Sequence, residues 1–475
     1  MKKKPNVVVV IADQLRYASC GYAGDAKAKT PVMDAMARNG ANVHNAVSSM
    51  PVCAAYRASF FTGKYATSTG MVINEIRLNP DHHKCFATCL TEAGYNTGYV
   101  GKWHMYANES GNHLDSKNSH IPPGKHRLGF DGHWAAYNFH HWYYNSENSF
   151  YHTDTEEKIP WGDGYEPDHQ TDMAIDYLKE HSKDEDPFCL VLALGTPHDP
   201  WMKENVPEEW YNKFANTAFP VPPNYQQEND IPYGDGWSNV EKSPEILDEK
   251  QRIYYAMTAN LDWNLGRLRD SIKDLNLAED TIFLFTSDHG EQFGAHGRMK
   301  KNIFYEEAAR IPFLVECPGT VPAKPVDVCI NSVDVMPTLL GMCGVSIPKD
   351  VEGMDLSHCL KGEEGAEPEF ALLQNTGACA IWENGHEWRG VRDKRYTYAT
   401  YLVDGKELLF DNILDPYQMT NLIDDKKHAS IKDKLKNGMY KKMKEINDDF
   451  PVSTWYKDNW VSEDRCIIKT ATCAK

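Results

Sequence analysis

Val7-Val8-Val9-Val10-Ile11, running on into Ala12-Asp13-Gln14, is the stretch on which the fold turns. A strand with one wet face alternates apolar and polar residues. A run that is apolar and β-branched at every position is covered on both faces, which is the habit of a parallel strand between two helical layers. Three more short apolar runs follow. Residues 96–100 lead into Gly101-Lys102-Trp103-His104, residues 188–194 into Thr196-Pro197-His198, and residues 281–285 into Ser287-Asp288-His289. Helical patterns lie between them, at residues 31–39 with Thr30 as the expected N-cap, at 169–179 and at 251–272. Strands alternating with helices predict an α/β fold with a large, mainly parallel sheet flanked by helices. Ligand sites of such sheets lie outside the carboxyl ends of the strands. The four polar strand ends are therefore expected to converge on one crevice.

The 475 residues suit one large domain and a smaller one. The pattern changes after about residue 365, which sets the expected division at 1–365 and 366–475. Residues 388–400 and 406–410 read as antiparallel strands with a turn at Asp404-Gly405, and residues 431–446 as a basic amphipathic helix, giving a small α+β unit. Composition is that of a folded protein, 41% hydrophobic and 25% charged. The net charge of -18 disfavours nucleic acid and anionic membranes as partners. The early apolar run is far short of the roughly 20 residues that span a bilayer. Met1-Lys2-Lys3-Lys4 is only superficially like the start of a secretory leader, so a cytoplasmic location is expected of the chain as given, the alternative being a periplasmic or secreted protein whose leader was removed. The 12 cysteines, from Cys20 to Cys473, show no framework spacing and read mostly as reduced, buried thiols.

Chemistry concentrates in Cys53-Ala54-Ala55-Tyr56-Arg57-Ala58-Ser59-Phe60-Phe61-Thr62-Gly63. Alone, Cys53 would read as a small buried hydrophobe and Asp13 as a turn or cap carboxylate. Together with the other strand ends, the segment resembles the signature of type I sulfatases, of the alkaline-phosphatase-like superfamily. There a Cys or Ser opens a Cys-x-Pro-x-Arg stretch followed by Thr-Gly. Ala55 stands where that family usually has Pro. Thr171-Asp172, Asn260-Leu261-Asp262, Val391-Arg392-Asp393-Lys394-Arg395-Tyr396 and Asp415-Pro416 extend the resemblance over most of the chain. Residues 107–170 and those after 450 are less similar.

The resemblance implies a catalytic domain of alkaline-phosphatase-like fold and a smaller C-terminal domain on a short antiparallel sheet. It implies that a formylglycine-generating maturase oxidises Cys53 to formylglycine, whose hydrate attacks sulfur. It gives Asp13, Gln14, Cys53, Asp288 and His289 as surroundings of one divalent cation. Oxygen donors with one imidazole suit Ca²⁺, with Mg²⁺ or Mn²⁺ as alternatives. Arg57, Lys102 and Lys301, which lies four residues before Tyr305, would hold the sulfuryl oxygens. His198 would protonate the leaving alcohol, and His104 would help release sulfate. A sulfate ester carries charge and develops more on its leaving oxygen, so cations, a metal and a near-neutral histidine are the groups this chemistry needs.

The expected activity is hydrolysis of a sulfate monoester on a mono- or oligosaccharide. The acidic overall field favours a small or singly sulfated substrate. The alternative is a phosphodiesterase or phosphonate monoester hydrolase of the same superfamily. A second metal set, as in alkaline phosphatase relatives, is not found in the sequence. His82-His83 and His140-His141 have no further ligand at metal spacing and read as non-metal. The aromatic run around residues 134–144 suits either a packed cover or stacking against sugar rings. That run and Glu387-Trp388-Arg389-Gly390 are expected at the rim of the crevice.

Overall fold

The computed structural model describes residues 4–472; residues 1–3 and 473–475, Cys473 among them, lie outside the described residues. Its strands are β1 (Asn6–Ala12), β2 (Ala41–Val47), β3 (Asn96–Lys102), β4 (Trp134–Tyr137), β5 (Phe150–Tyr151), β6 (Ile159–Pro160) and β7 (Phe188–Ala193). After these come β8 (Thr281–Ser287), β9 (Phe313–Glu316), β10 (Lys324–Asn331), β11 (Ala371–Asn375), β12 (Trp388–Arg392), β13 (Tyr396–Tyr401) and β14 (Glu407–Asp411). Eight of them form one sheet in the order β10-β2-β9-β8-β1-β7-β3-β4. All neighbours in it are parallel except those of β9.

β1 lies at the centre, with Val9 between Val191 and Leu284. Val7, Val9 and Ile11 enter one core cluster and Val8, Val10 and Ala12 the other, so the two-residue period of the strand feeds both faces. Each fully buried valine or isoleucine contributes about 1.5–3 kcal/mol by leaving water. One core takes side chains from helices Cys53–Thr62, Phe86–Glu92 and Ser332–Cys343, and the other from Pro31–Asn39, Glu166–His181 and Pro244–Asp274. The layered α/β architecture read from the sequence is the one observed.

Three local expectations need correction. Thr30 does not cap helix Pro31–Asn39, because its hydroxyl accepts from Gly21 N at 2.8 Å. Asp262, from helix Pro244–Asp274, caps it by accepting from Val32 N at 3.0 Å and Met33 N at 2.8 Å. The stretch 388–400 is two strands of a hairpin, β12 and β13, and β11 precedes them to complete the four-stranded antiparallel sheet β11-β12-β13-β14.

The third correction concerns the rim. Trp388 and Arg389 are fully buried and Glu387 nearly so. One face of the small sheet packs on helix Ala429–Glu445 through Leu435, Met439 and Met443. The other, carrying Trp388, packs on Ile303, Phe304 and Tyr305. Trp388 Nε1 donates to Asn302 O at 3.3 Å and its ring meets Phe304 edge-on. Arg389 is turned inward by Asp448, at 2.6 and 2.8 Å. The stretch is a wall of the core and not a rim. In the aromatic run, Trp134, Tyr137, Phe139, His140 and Tyr143 are also buried, and only His141, Trp142 and Tyr144 are partly accessible. Packing accounts for most of that segment.

No disulfide joins the cysteines among the described residues, and all but half-buried Cys466 are buried. No helix among them is long and apolar enough to cross a membrane.

Candidate active site

The ends of β1, β7 and β8 are stitched together by backbone hydrogen bonds. Asp13 N donates to Thr196 O at 3.2 Å and Asp288 N to Ala12 O at 3.1 Å. Gln14 then turns the chain with a left-handed φ of 67°, which aims its N–H at Asp288 Oδ1, 3.0 Å away. The crevice opens here, at the carboxyl edge of the central strands.

Cys53 reaches it from outside the sheet. It is the first residue of helix Cys53–Thr62, all of whose residues are buried. No side chain of Val52 caps that helix, and Asn74 Oδ1 accepts from Ala54 N at 3.1 Å instead. Gly63 ends the helix in the left-handed conformation. The thiol therefore sits at the electropositive end of a ten-residue helix, where anions are favoured.

Oxygen, sulfur and nitrogen donors of Asp13, Cys53, Asp288 and His289 all lie within 4.8 Å of one another, and all four residues are buried. Cys53 Sγ is 3.2 Å from His289 Nε2 and 3.8 Å from Asp13 Oδ1. The cations surround this group. Lys102 Nζ is 2.7 Å from Asp13 Oδ2. Arg57 lies 3.3 Å from Asp13 and 3.4 Å from Asp288, with its other nitrogen on Lys102 O at 2.7 Å. Lys301 Nζ is 3.0 Å from Cys53 Sγ, 3.1 Å from Gln14 Oε1 and 3.0 Å from His198 Nε2. Lys102 is the last residue of β3 and not a loop residue beyond it. The preceding Gly101 has φ +107°, and a Cβ there would meet Ala193 O at 2.1 Å, so only glycine lets β3 pass β7 at this point.

His104 also takes a left-handed φ, 58°, pinned by its N–H on Asn138 O at 2.9 Å. Its Nδ1 is buried with no hydrogen-bond partner among the described residues. The structure thus brings Asp13, Gln14, Cys53, Arg57, Lys102, His198, Asp288, His289 and Lys301 to one crevice, with His104 two residues beyond Lys102.

Burial sets the charge states. It pushes the Asp288 carboxyl up to about 6, reinforced by Asp13 and opposed by His289 and Arg57. Asp13 is driven up by burial too, yet Lys102, His198, Lys301 and Arg57 hold it well below the carboxylate range. Burial and Asp13 push the Cys53 thiol up; Lys301, Lys102 and a hydrogen bond to His198 outweigh them and bring it down to about 6. Burial and Lys301 lower His289 to about 4, which leaves a neutral imidazole able to donate a lone pair. The two facing carboxylates are hard oxygen donors beside a neutral imidazole, and they fit a divalent cation.

Several residues of this neighbourhood carried no sequence signal of their own. Glu291, fully buried, accepts from Gln14 Nε2 at 2.7 Å and from Lys300 N at 2.8 Å. Asp199 O is 2.8 Å from His198 Nδ1, while its carboxylate pairs with Lys300 at 3.0 Å. His141 stacks on His198 at 4.3 Å with 12° between the rings.

Residues 5–345 match the Sulfatase family, and residues 294–445 match the C-terminal part of N-sulphoglucosamine sulphohydrolase. The chain belongs to the sulfatase family. Among its relatives is an ulvan-active sulfatase of Formosa agariphila, 35% identical over 96% of this chain and 85% of that protein. An endo-4-O-sulfatase of Bacteroides thetaiotaomicron is 27% identical over 97% of this sulfatase and 94% of the relative. The solved structure of YidJ from Bacteroides fragilis superposes with a TM-score of 0.80 at 28% identity, covering 96% of this sulfatase and 98% of that chain. The protein is a sulfuric ester hydrolase of alkaline-phosphatase-like fold.

Proposed function

We propose that this sulfatase removes sulfate from a carbohydrate monoester, with Cys53, matured to formylglycine, as nucleophile and one divalent cation beside it. The observation that carries this reading is the convergence on Cys53 Sγ of Lys301, His289 and Asp13 at a helix N-terminus. That is an environment for attack on an anion, with the countercharge already in place. The relatives named for ulvan and for an endo-acting 4-O activity support a saccharide as the alcohol.

Formylglycine at position 53 supplies a hydrated aldehyde oxygen as nucleophile. Asp13, Gln14, Asp288 and His289 would hold the cation, which supplies Lewis-acid polarisation of the sulfuryl oxygens; Ca²⁺ suits this donor set, with Mg²⁺ or Mn²⁺ as alternatives. Arg57, Lys102 and Lys301 neutralise the same oxygens from the protein side. His198 acts on the leaving alcohol. Its Nδ1 faces the Asp199 carbonyl and carries the resting proton, while Nε2 faces the Lys301 ammonium at 3.0 Å; His198 protonates the leaving oxygen from Nε2 after Nε2 has taken a proton from that side. His104 is held neutral by burial, with Lys102 and Arg57 adding to the effect, and serves as the base that clears the sulfate.

The test is turnover by matured enzyme of a panel of sulfated mono- and oligosaccharides beside an aryl phosphate diester. Saccharide desulfation is expected. Hydrolysis of the diester with none of any sulfated saccharide would overturn the reading in favour of a phosphodiesterase.

A further inference from the structure

The geometry points to Trp237, with the Asp199–Lys300 ion pair beside it, as the platform that receives the sugar on the leaving-group side. The inference rests on the carbohydrate reading above and goes beyond it by naming the surface that selects the alcohol. The crevice itself offers no surface to the alcohol: Asp13, Cys53, Lys102, Asp288 and His289 are almost wholly buried.

His198 Nε2 meets Lys301 Nζ at 3.0 Å on one side of the site. The residue after His198, Asp199, holds Lys300 Nζ at 3.0 Å. Lys300 and Lys301 are neighbours in sequence with opposite destinations. Lys300 has a left-handed φ of 65°, so the chain turns between them. Lys301, 4% exposed, meets Cys53, whereas the Lys300 side chain is 20% exposed and turns toward Asp199. There Lys300 Nζ lies 5.5 Å from the centre of the Trp237 ring. Trp237 is 44% exposed.

An exposed tryptophan on a loose loop would mean little, but this loop is tied to the active-site segment on both sides. Buried Asp235 accepts from Asn302 Nδ2 at 3.0 Å and Cys379 N at 3.2 Å, and its other oxygen accepts from Ser238 N at 2.8 Å. Ser238 O accepts from Met299 N at 2.8 Å. The indole is thus carried by a rigid turn whose anchors, Met299 and Asn302, bracket the two lysines. A pyranose offers an apolar C–H face and a polar hydroxyl rim. An indole with an ammonium donor over one face, and that ammonium's carboxylate partner beyond it, offers groups for both.

The experiment compares Trp237→Ala, Trp237→Phe and Trp237→Leu in matured enzyme on a monosulfated disaccharide that the wild type turns over, with inorganic sulfate as competitive inhibitor. Trp263→Ala is the control, a 45% exposed tryptophan on helix Pro244–Asp274 packed against Trp210. Expected are a KM raised about three- to tenfold by Trp237→Ala and Trp237→Leu with kcat little changed, and recovery in Trp237→Phe. The Ki of sulfate should not move, and Trp263→Ala should match wild type. Disaccharide turnover with an unchanged KM in the Trp237 variants would overturn this inference alone. So would a parallel rise in the sulfate Ki, which would mark a structural role. A wild type that desulfates no saccharide would overturn the carbohydrate reading and this inference with it.

Discussion

The ammonium of Lys301 lies 3.0 Å from the sulfur of Cys53, residues separated by 248 positions in the chain. The contact joins the N-terminus of a buried helix to the loop after β8, and an anion at position 53 would have its countercharge in place before substrate arrives.

Cys53 is the first test of that arrangement. Peptide mass spectrometry of protein from a host with a maturase is expected to find formylglycine at position 53. Cys53→Ala should lower kcat on the order of a thousandfold or more, with a near-native Tm. Full activity from protein whose Cys53 is unmodified would sink the maturation proposal.

The facing carboxylates of Asp13 and Asp288 predict a stabilising cation. Ca²⁺ added to chelator-treated protein should raise Tm, by a shift worth about 2.7 kcal/mol at a hundredfold excess over Kd. The double variant Asp13→Asn/Asp288→Asn should show no such shift. An equal rise in both proteins would place the ion elsewhere.

Arg389 distinguishes a wall from a rim. Its guanidinium is bidentate on Asp448, which also accepts from Gln374 Nε2 at 2.8 Å. Arg389→Ala leaves a buried carboxylate short of its charge partner and should destabilise by about 3–5 kcal/mol in denaturant unfolding. A variant of native stability with an altered KM would return this stretch to the rim.

Removing the distant cap on helix Pro31–Asn39 should be milder. Asp262→Ala loses two hydrogen bonds to helix N–H groups and is expected to cost about 1–2 kcal/mol, whereas Thr30→Val should have a smaller effect on that helix start. The reverse order would show that Thr30 governs it.

The central strands were legible because burial on both faces leaves an unbroken β-branched run, and the crevice because chemistry-bearing residues follow those runs directly. β2 was not. Ala41-Asn42-Val43-His44-Asn45-Ala46-Val47 mixes polar and apolar residues, and Asn45 is buried only because Asp327 and Arg392 take its amide. β4 lay inside an aromatic run whose composition hid its register. Charged neighbours on either side of Trp388 suggest exposure, and only Asp448, 59 positions away, explains why Arg389 turns in. Trp237 follows Gly234-Asp235-Gly236 in a turn with no periodicity, and its contact with Lys300 is purely tertiary.

The small antiparallel sheet rests one face on Ile303, Phe304 and Tyr305, and Trp388 holds the carbonyl of Asn302. Lys301 is the next residue back. An engineer seeking a shorter catalyst therefore has little to trim: deleting β11–β14 would bare three large apolar side chains and unseat the peptide that aims Lys301 at Cys53. The C-terminal fifth of the chain works as a fixture for the first four, and insertions meant to be silent belong on its outer helix, Ala429–Glu445, rather than on the strands beneath.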